Sequence, residues 1–254
     1  MNKNLLKPKL AKNKCVFGPW CMLPSGATID VISRTGVDFI IIDMEHGCMD
    51  WETAEEMVRA AYANQCQPII RTGNESANSI LHALETGANA VMVPNIADAR
   101  TARAVALAAR YAPIGMRGVS PYTRCHEFTH QDFQVSLARN NQELLLGVLV
   151  EGIKGLSNLK KICAVQGIDL IYIGIYDLSQ SVGLAGQVNH PNVQEKIKNC
   201  IKIIQKSKKI PGIFAQTIDQ AIHYKKMGFR FVAYVADCYG LKTFYENSIK
   251  QFLK

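Results

Sequence analysis

The chain has no apolar run near the ~18 residues that a membrane-crossing helix needs. Its opening, MNKNLLKPKLAKNK, carries lysines but no apolar stretch or small-residue cleavage site of an export signal. These absences predict a soluble cytoplasmic protein with no membrane partner. None of the eight cysteines belongs to a C-x-x-C pair, which argues against zinc ribbons and disulfide frameworks and leaves free thiols in a reducing compartment. Acidic residues are the minority, 21 against 29 basic ones, for a net charge of +8. The lysines gather in the N-terminal tail and at Lys196, Lys198, Lys202, Lys206, Lys208 and Lys209, the wet face of a helix. No aromatic residues interleave with them, so nucleic acid is not expected as a partner. An excess of positive charge suits small anionic ligands, whose local concentration it raises. No Pro/Gly/Ser-rich linker interrupts the sequence, and residues 1–254 are expected to form one domain with one large core.

What is present is a regular alternation. Short, continuously apolar runs at 16–22, 37–43, 67–71, 89–94, 144–150, 168–174, 209–214 and 229–235 read as strands. Stretches of helical period at 26–35, 51–64, 76–86, 97–110, 153–165, 191–208, 217–227 and 240–252 read as helices. Several of these are entered by Asp, Ser, Thr or Asn and left through glycine, as at Thr86-Gly87 and Met227-Gly228. Continuous rather than alternating apolar runs belong to parallel strands covered on both faces. Eight strand-then-helix units predict an α/β fold, the (β/α)8 TIM barrel. An open doubly wound sheet would bring a glycine-rich phosphate loop after its first strand, and neither G-x-G-x-x-G nor a Walker sequence occurs.

In such a barrel the reactive groups stand at the C-terminal ends of the strands. Strand two ends in IIIDMEH, with Asp43, Glu45 and His46; strand three ends at Arg71; strand five runs into Glu151; strand six passes Gly174 and reaches Asp177. Charged residues also follow strands simply because loops are wet, so the argument rests on the set rather than on one position. Glu151 and Asp177, carboxylates from different strands, suit a hard divalent cation such as Mg²⁺, Mn²⁺ or Co²⁺ with positions left for water and a 2-oxo acid. Arg71 suits an enolate oxyanion and His46 the proton that makes or quenches it. Tyr176-Asp177-Leu178-Ser179 is expected to open a short helix toward the substrate carboxylate. His126-Glu127-Phe128-Thr129-His130 matches the zinc-protease pattern H-E-x-x-H, but it lies in a long Gly- and Pro-bearing connection without a third ligand and is read as a lid or subunit contact.

With these residues placed, the chain resembles the HpcH/HpaI-type class II aldolases, the family of 4-hydroxy-2-oxoheptanedioate aldolase and related 2-oxo acid lyases. The resemblance covers nearly the whole chain and rests on FIIIDMEHG, IIR at Arg71, VMVPNI followed by RYAPIGMRGVS, LVEG at Glu151 and YIGIYDLSQSVGLAGQVNHPNV. It implies a carbon–carbon lyase acting on a pyruvate-type 2-oxo acid and an aldehyde. Metal would be held by Glu151 and Asp177, with transition-state support from Arg71 and His46 as acid/base. It also implies a last helix exchanged between subunits, in a hexamer built as a trimer of dimers. Glu85 stands where the family has an aspartate that raises the basicity of the histidine, so it joins the catalytic candidates. Leu149 replaces a substrate-binding glutamine, and Ile175-Tyr176 replaces a Pro-Ala pair, which puts Tyr176 beside Gly174 and Asp177 at the substrate carboxylate. A citrate synthase branch from siderophore pathways is similar around WCM-PS, DMEHG and YDLSQS, and implies the alternative of joining oxaloacetate to acetyl-CoA. A barrel that binds a small acid, or only assembles, without turnover is the remaining reading.

Overall fold

A computed structural model describes residues 3–254. Strands β1 (Val16–Cys21), β2 (Phe39–Asp43), β3 (Gln67–Arg71), β4 (Ala90–Val93), β5 (Leu145–Val150), β6 (Leu170–Ile173), β7 (Ile210–Ala215) and β8 (Phe231–Ala236) pair in chain order, and β8 closes back on β1. All of these pairings are parallel. The expected (β/α)8 barrel is therefore the fold.

Continuous apolar strands bury both faces, and the core accordingly divides in two. Inside the barrel lie residues such as Phe39, Ile41, Ile69, Leu145, Leu170 and Phe231. The Phe39 and Phe231 rings stack there with centroids 4.1 Å apart. Outside, Ile40, Ile42, Ile70, Val91, Leu146, Val148 and Ile171 meet the helices. The covering helices are α2 (Gly26–Ser33), α3 (Trp51–Ala63), α4 (Ala77–Glu85), α5 (Ala99–Ala108), α8 (Leu159–Cys163), α10 (Pro191–Lys206) and α11 (Ile218–Met227). Side chains of Ser25, Asp50, Ser76, Asp98 and Thr217 accept N–H bonds from the first turns of α2, α3, α4, α5 and α11. At the other end of α11, Gly228 takes φ 100°, the left-handed C-terminal stop that the Met227-Gly228 step predicted.

Four features depart from the sequence reading. The lysine-bearing tail contains a helix, α1 (Lys7–Ala11), whose Leu6 and Leu10 join the interior cluster. Asn4 anchors it: Oδ1 accepts the N–H groups of Leu6 and Lys7, and Nδ2 donates to the Asn89 carbonyl at 3.1 Å. The long connection before β5 contains α6 (Phe133–Glu143), and the helix expected at 153–165 is split into α7 (Ile153–Ser157) and α8 at Asn158. The last helix, α12 (Asp237–Phe252), begins three residues early, and Asp237 is its only buried residue. Leu241, Phe244, Tyr245, Ile249 and Phe252 are all exposed, so α12 leaves the barrel rather than returning along it. Among the described residues, no helix is long and apolar enough to cross a membrane.

Candidate active site

The register of the barrel assembles the site. Asp43 and Arg71 are Cα partners at the ends of β2 and β3. From that position Arg71 Nε donates to Asp43 Oδ1 at 2.9 Å and Nη2 donates to Oδ2, a fork-to-fork pair with both partners buried. Nη1 meets Glu45 Oε2 at 2.7 Å. The guanidinium lies over the Trp20 ring, 4.6 Å from its centroid, and Trp20 Nε1 in turn donates to the Tyr172 hydroxyl at 3.3 Å. A guanidinium has five N–H donors. With three committed to carboxylates, one hydrogen on each terminal nitrogen is left for a substrate oxygen.

Across the barrel mouth, Val150 pairs with Ile173, which brings the following residues, Glu151 and Gly174, side by side. A Cβ on Gly174 would stand 2.7 Å from both Cβ and Oε2 of Glu151, so only glycine leaves room for the carboxylate. Glu151 Oε1 accepts the backbone N–H of Asn95 at 2.7 Å. Asn95 adopts φ 60°, and its Nδ2 also donates to Glu45 Oε1 at 3.3 Å. Burial pushes Glu151 up to about 7; the Asn95 N–H opposes this, and the Asp177 and Glu45 carboxylates add to it. Burial likewise raises Glu45, against the pull of Arg71.

Asp177 stands in the first turn of α9 (Ile175–Ser181), the short helix expected after strand six, and is exposed. The His46 imidazole is exposed at the rim and makes no side-chain hydrogen bond among the described residues, while its backbone N–H donates to Asp43 Oδ1 at 3.1 Å. A cleft of about 360 Å³ at the C-terminal ends of the strands is lined by Asp43, His46, Arg71, Glu151, Gly174, Tyr176 and Asp177 together, with Leu149 among the apolar residues of its wall.

Glu85 is not among them. At the end of α4 it pairs with Arg117 at 2.7 Å and accepts from Cys125 Sγ at 3.4 Å, beneath the segment that follows α5. Within one chain it is committed to Arg117 and does not touch His46. The H-E-x-x-H segment is not a metal helix: Arg124–His126 form a single 3-10 turn, and Glu127 and Phe128 take left-handed φ of 57° and 58°. His126 is buried, with its two ring nitrogens on the Tyr111 hydroxyl at 2.8 Å and on Ser136 Oγ at 2.7 Å. Trp20, Asn95, Phe214 and Gln216 are the contributors that sequence reasoning passed over. Their only signal was position at or just beyond a strand end.

Among the described residues, no three His, Cys, Asp or Glu side chains converge as a metal-ligand cluster. The donor set on offer is a carboxylate pair. That is too little for a closed protein cage and fits a hard cation that draws its other ligands from substrate and water.

The chain is 32% identical over 219 residues to a hydroxypyruvate/pyruvate aldolase of Chromohalobacter salexigens, covering 85% of each. It is 31% identical over 242 residues to a 4-hydroxy-2-oxo-heptane-1,7-dioate aldolase of Salmonella dublin, covering 92% of this chain and 89% of the relative. A family protein from Burkholderia cenocepacia superposes with a TM-score of 0.93 at 26% identity, over 99% of this chain and 100% of that one. A citrate synthase at 24% identity shares the fold, with a TM-score of 0.89 over 98% of this chain and 97% of its own. The HpcH/HpaI aldolase/citrate lyase family matches residues 17–241, and the chain belongs to that family.

Proposed function

We propose that the protein is a divalent-cation-assisted carbon–carbon lyase that forms the enolate of a pyruvate-type 2-oxo acid and joins it to, or releases it from, an aldehyde. The observation that carries this reading is Arg71, clamped by Asp43 and Glu45 with two N–H groups unspent, in the same cleft as the Glu151 and Asp177 carboxylates. The residues present fit a cation: Glu151 is raised first by burial and partly by the charge of Asp177, the distant pull of Arg71 is the smallest influence, and neither carboxylate makes an ion pair with a basic side chain among the described residues. Glu151 and Asp177 would hold a Mg²⁺-, Mn²⁺- or Co²⁺-type ion, which supplies Lewis-acid polarisation of the 2-oxo carbonyl.

Arg71 does the electrostatic work of the chain. Its clamp fixes the guanidinium before charge develops on the 2-oxo oxygen, so little reorganisation is needed when the enolate forms. His46, exposed at the rim, moves the proton at the carbon next to the 2-oxo group. Gly174 lets Glu151 approach, and Tyr176 adds its hydroxyl to the rim. The exposed apolar face of α12 supports a contact with a second copy of the chain, as in a homo-oligomer whose last helices are exchanged.

The test is proton NMR of pyruvate in deuterium oxide with enzyme and Mg²⁺ or Mn²⁺. Loss of the methyl signal is expected, because enolate formation exchanges those protons without needing the right aldehyde. No exchange above that of the free cation would refute the reading. Citrate formed from oxaloacetate and acetyl-CoA faster than any aldol product would replace it with the condensation alternative.

A further inference from the structure

The cleft has a second wall, of which the chemistry above uses only the Tyr176 hydroxyl. Tyr176, in the first turn of α9, places its ring 5.8 Å from that of Phe214 on β7. Gln216, just past the end of β7, donates from Nε2 to the Tyr176 hydroxyl oxygen at 2.7 Å. Gln216 is itself held, its backbone N–H donating to Gln220 Oε1 at 2.8 Å. Because the phenol oxygen accepts from Gln216, its own hydrogen is directed elsewhere, and no acceptor for it occurs among the described residues. Tyr176 is 45% exposed, so this donor meets whatever lies over the cleft.

The charge of the cleft narrows what that can be. Its lining holds three carboxylates, Asp43, Glu151 and Asp177, and no lysine. Arg71, the one arginine among the described residues of that lining, already serves Asp43 and Glu45, and on the aldolase reading its remaining donors serve the donor acid. With a divalent cation balanced by Glu151 and Asp177, and Arg71 by Asp43 and Glu45, an acceptor bringing a second carboxylate would add negative charge with only the exposed His46 imidazole left in the lining to meet it, and a half-buried site makes that costly. An uncharged acceptor meets no such penalty. Its carbon chain lies against the Tyr176 and Phe214 rings, and a hydroxyl on it accepts from the Tyr176 O–H.

Resting on the aldolase reading, we propose that the acceptor is a short uncharged hydroxyaldehyde, and that Tyr176, oriented by Gln216, selects it. Tyr176 touches the acceptor; Gln216 is a positioning residue that acts through it.

The experiment uses pyruvate as donor with Mn²⁺ and three two-carbon acceptors: glycolaldehyde, acetaldehyde and glyoxylate. Wild-type kcat/KM is expected to favour glycolaldehyde over acetaldehyde by roughly five- to tenfold, the worth of one neutral hydrogen bond at a partly desolvated site. In Tyr176→Phe, which keeps the ring, that preference should fall to about one, and glycolaldehyde should lose ground relative to glyoxylate by the same factor. Gln216→Leu should lower the same preference through KM for glycolaldehyde rather than kcat, a split that a general loss of structure would not produce. If Tyr176→Phe keeps the wild-type preference, or if the wild type prefers glyoxylate to glycolaldehyde tenfold, the proposal is overturned while the aldolase reading stands. Absence of pyruvate methyl exchange in the wild type overturns both.

Discussion

Replacing Glu151 by glutamine removes one charge from the cleft while keeping a side-chain oxygen for the Asn95 N–H. In the unfolded chain this carboxyl titrates near its ordinary 4.5; in the folded, metal-free protein burial, with the charges of Asp177 and Glu45, holds it at about 7. The folded state therefore binds the proton more tightly. A raised folded value contributes stability that is fully present below the unfolded value and is lost as pH rises through the folded one. Between 4.5 and about 7 the loss is on the order of 3 kcal/mol. Glutamine does not titrate, so the stability of Glu151→Gln relative to wild type should rise by about 2–3 kcal/mol between pH 5 and pH 8.5, and most of the change should be spread between about pH 5 and pH 7. The assay is urea unfolding at fixed protein concentration in excess chelator, followed at several pH values, with the urea dependence checked for constancy. Excess Mg²⁺ or Mn²⁺ at pH 8 should then stabilise the wild type and leave the variant nearly unmoved, because only the wild type keeps both carboxylates. A stability difference independent of pH would refute the electrostatic reasoning. Equal stabilisation of both proteins by the cation would remove Glu151 from its site.

The other expectations concern separate parts of the cleft and the assembly. Arg71→Lys keeps the charge but loses the fork that grips Asp43, and pyruvate methyl exchange should fall by roughly two to three orders of magnitude; near-normal exchange would show that a point charge suffices. His46→Ala should slow the same exchange by about 10²- to 10⁴-fold with cation affinity little changed by calorimetry. Gly174→Ala puts a Cβ 2.7 Å from Glu151 and should weaken cation binding by roughly 10- to 100-fold in a barrel whose circular dichroism is unaltered. Phe244→Glu on the exposed face of α12 should shift sedimentation toward smaller species, and an unchanged profile would take that face out of the subunit contact.

Much of the fold was legible because parallel strands covered on both sides must be apolar throughout. Runs such as FIIID and LLGVLV have few other uses, and each of the eight expected strands overlaps an observed one. What escaped detection carries little apolar signal of its own. The α6 sequence FQVSLARNNQE buries only Asn140, so no hydrophobic period marks it. The helix at Lys7–Ala11 shows in sequence as lysines and a proline; its reason for existing is that Leu6 and Leu10 meet interior residues contributed by other strands. The break at Asn158 likewise depends on a distant partner, since Asn158 Nδ2 donates to the Ala97 carbonyl at 3.0 Å.

At the site, the rule that barrel strands present chemistry at their C-terminal ends was enough to place Asp43, His46, Arg71, Glu151 and Asp177 at one mouth. It could not say which charge answers which, because that depends on register. Asp43 sits opposite Arg71 in the ladder and is neutralised by it. Glu151 sits beside a glycine and accepts the Asn95 N–H, and it makes no ion pair with a basic side chain among the described residues. Four acidic side chains that look alike in the sequence thus divide into two clamps for the arginine, Asp43 and Glu45, and a pair with charge to spare. Glu85 shows the same limit from the other side. The family resemblance suggested help for His46, yet within one chain helix α4 carries Glu85 to Arg117. A divalent cation would meet the excess at Glu151 and Asp177 without disturbing Arg71, whose own carboxylates are already spoken for. The cleft can therefore hold a cation and a guanidinium close together without one displacing the other. An enolate oxygen placed between them would meet positive charge from both sides.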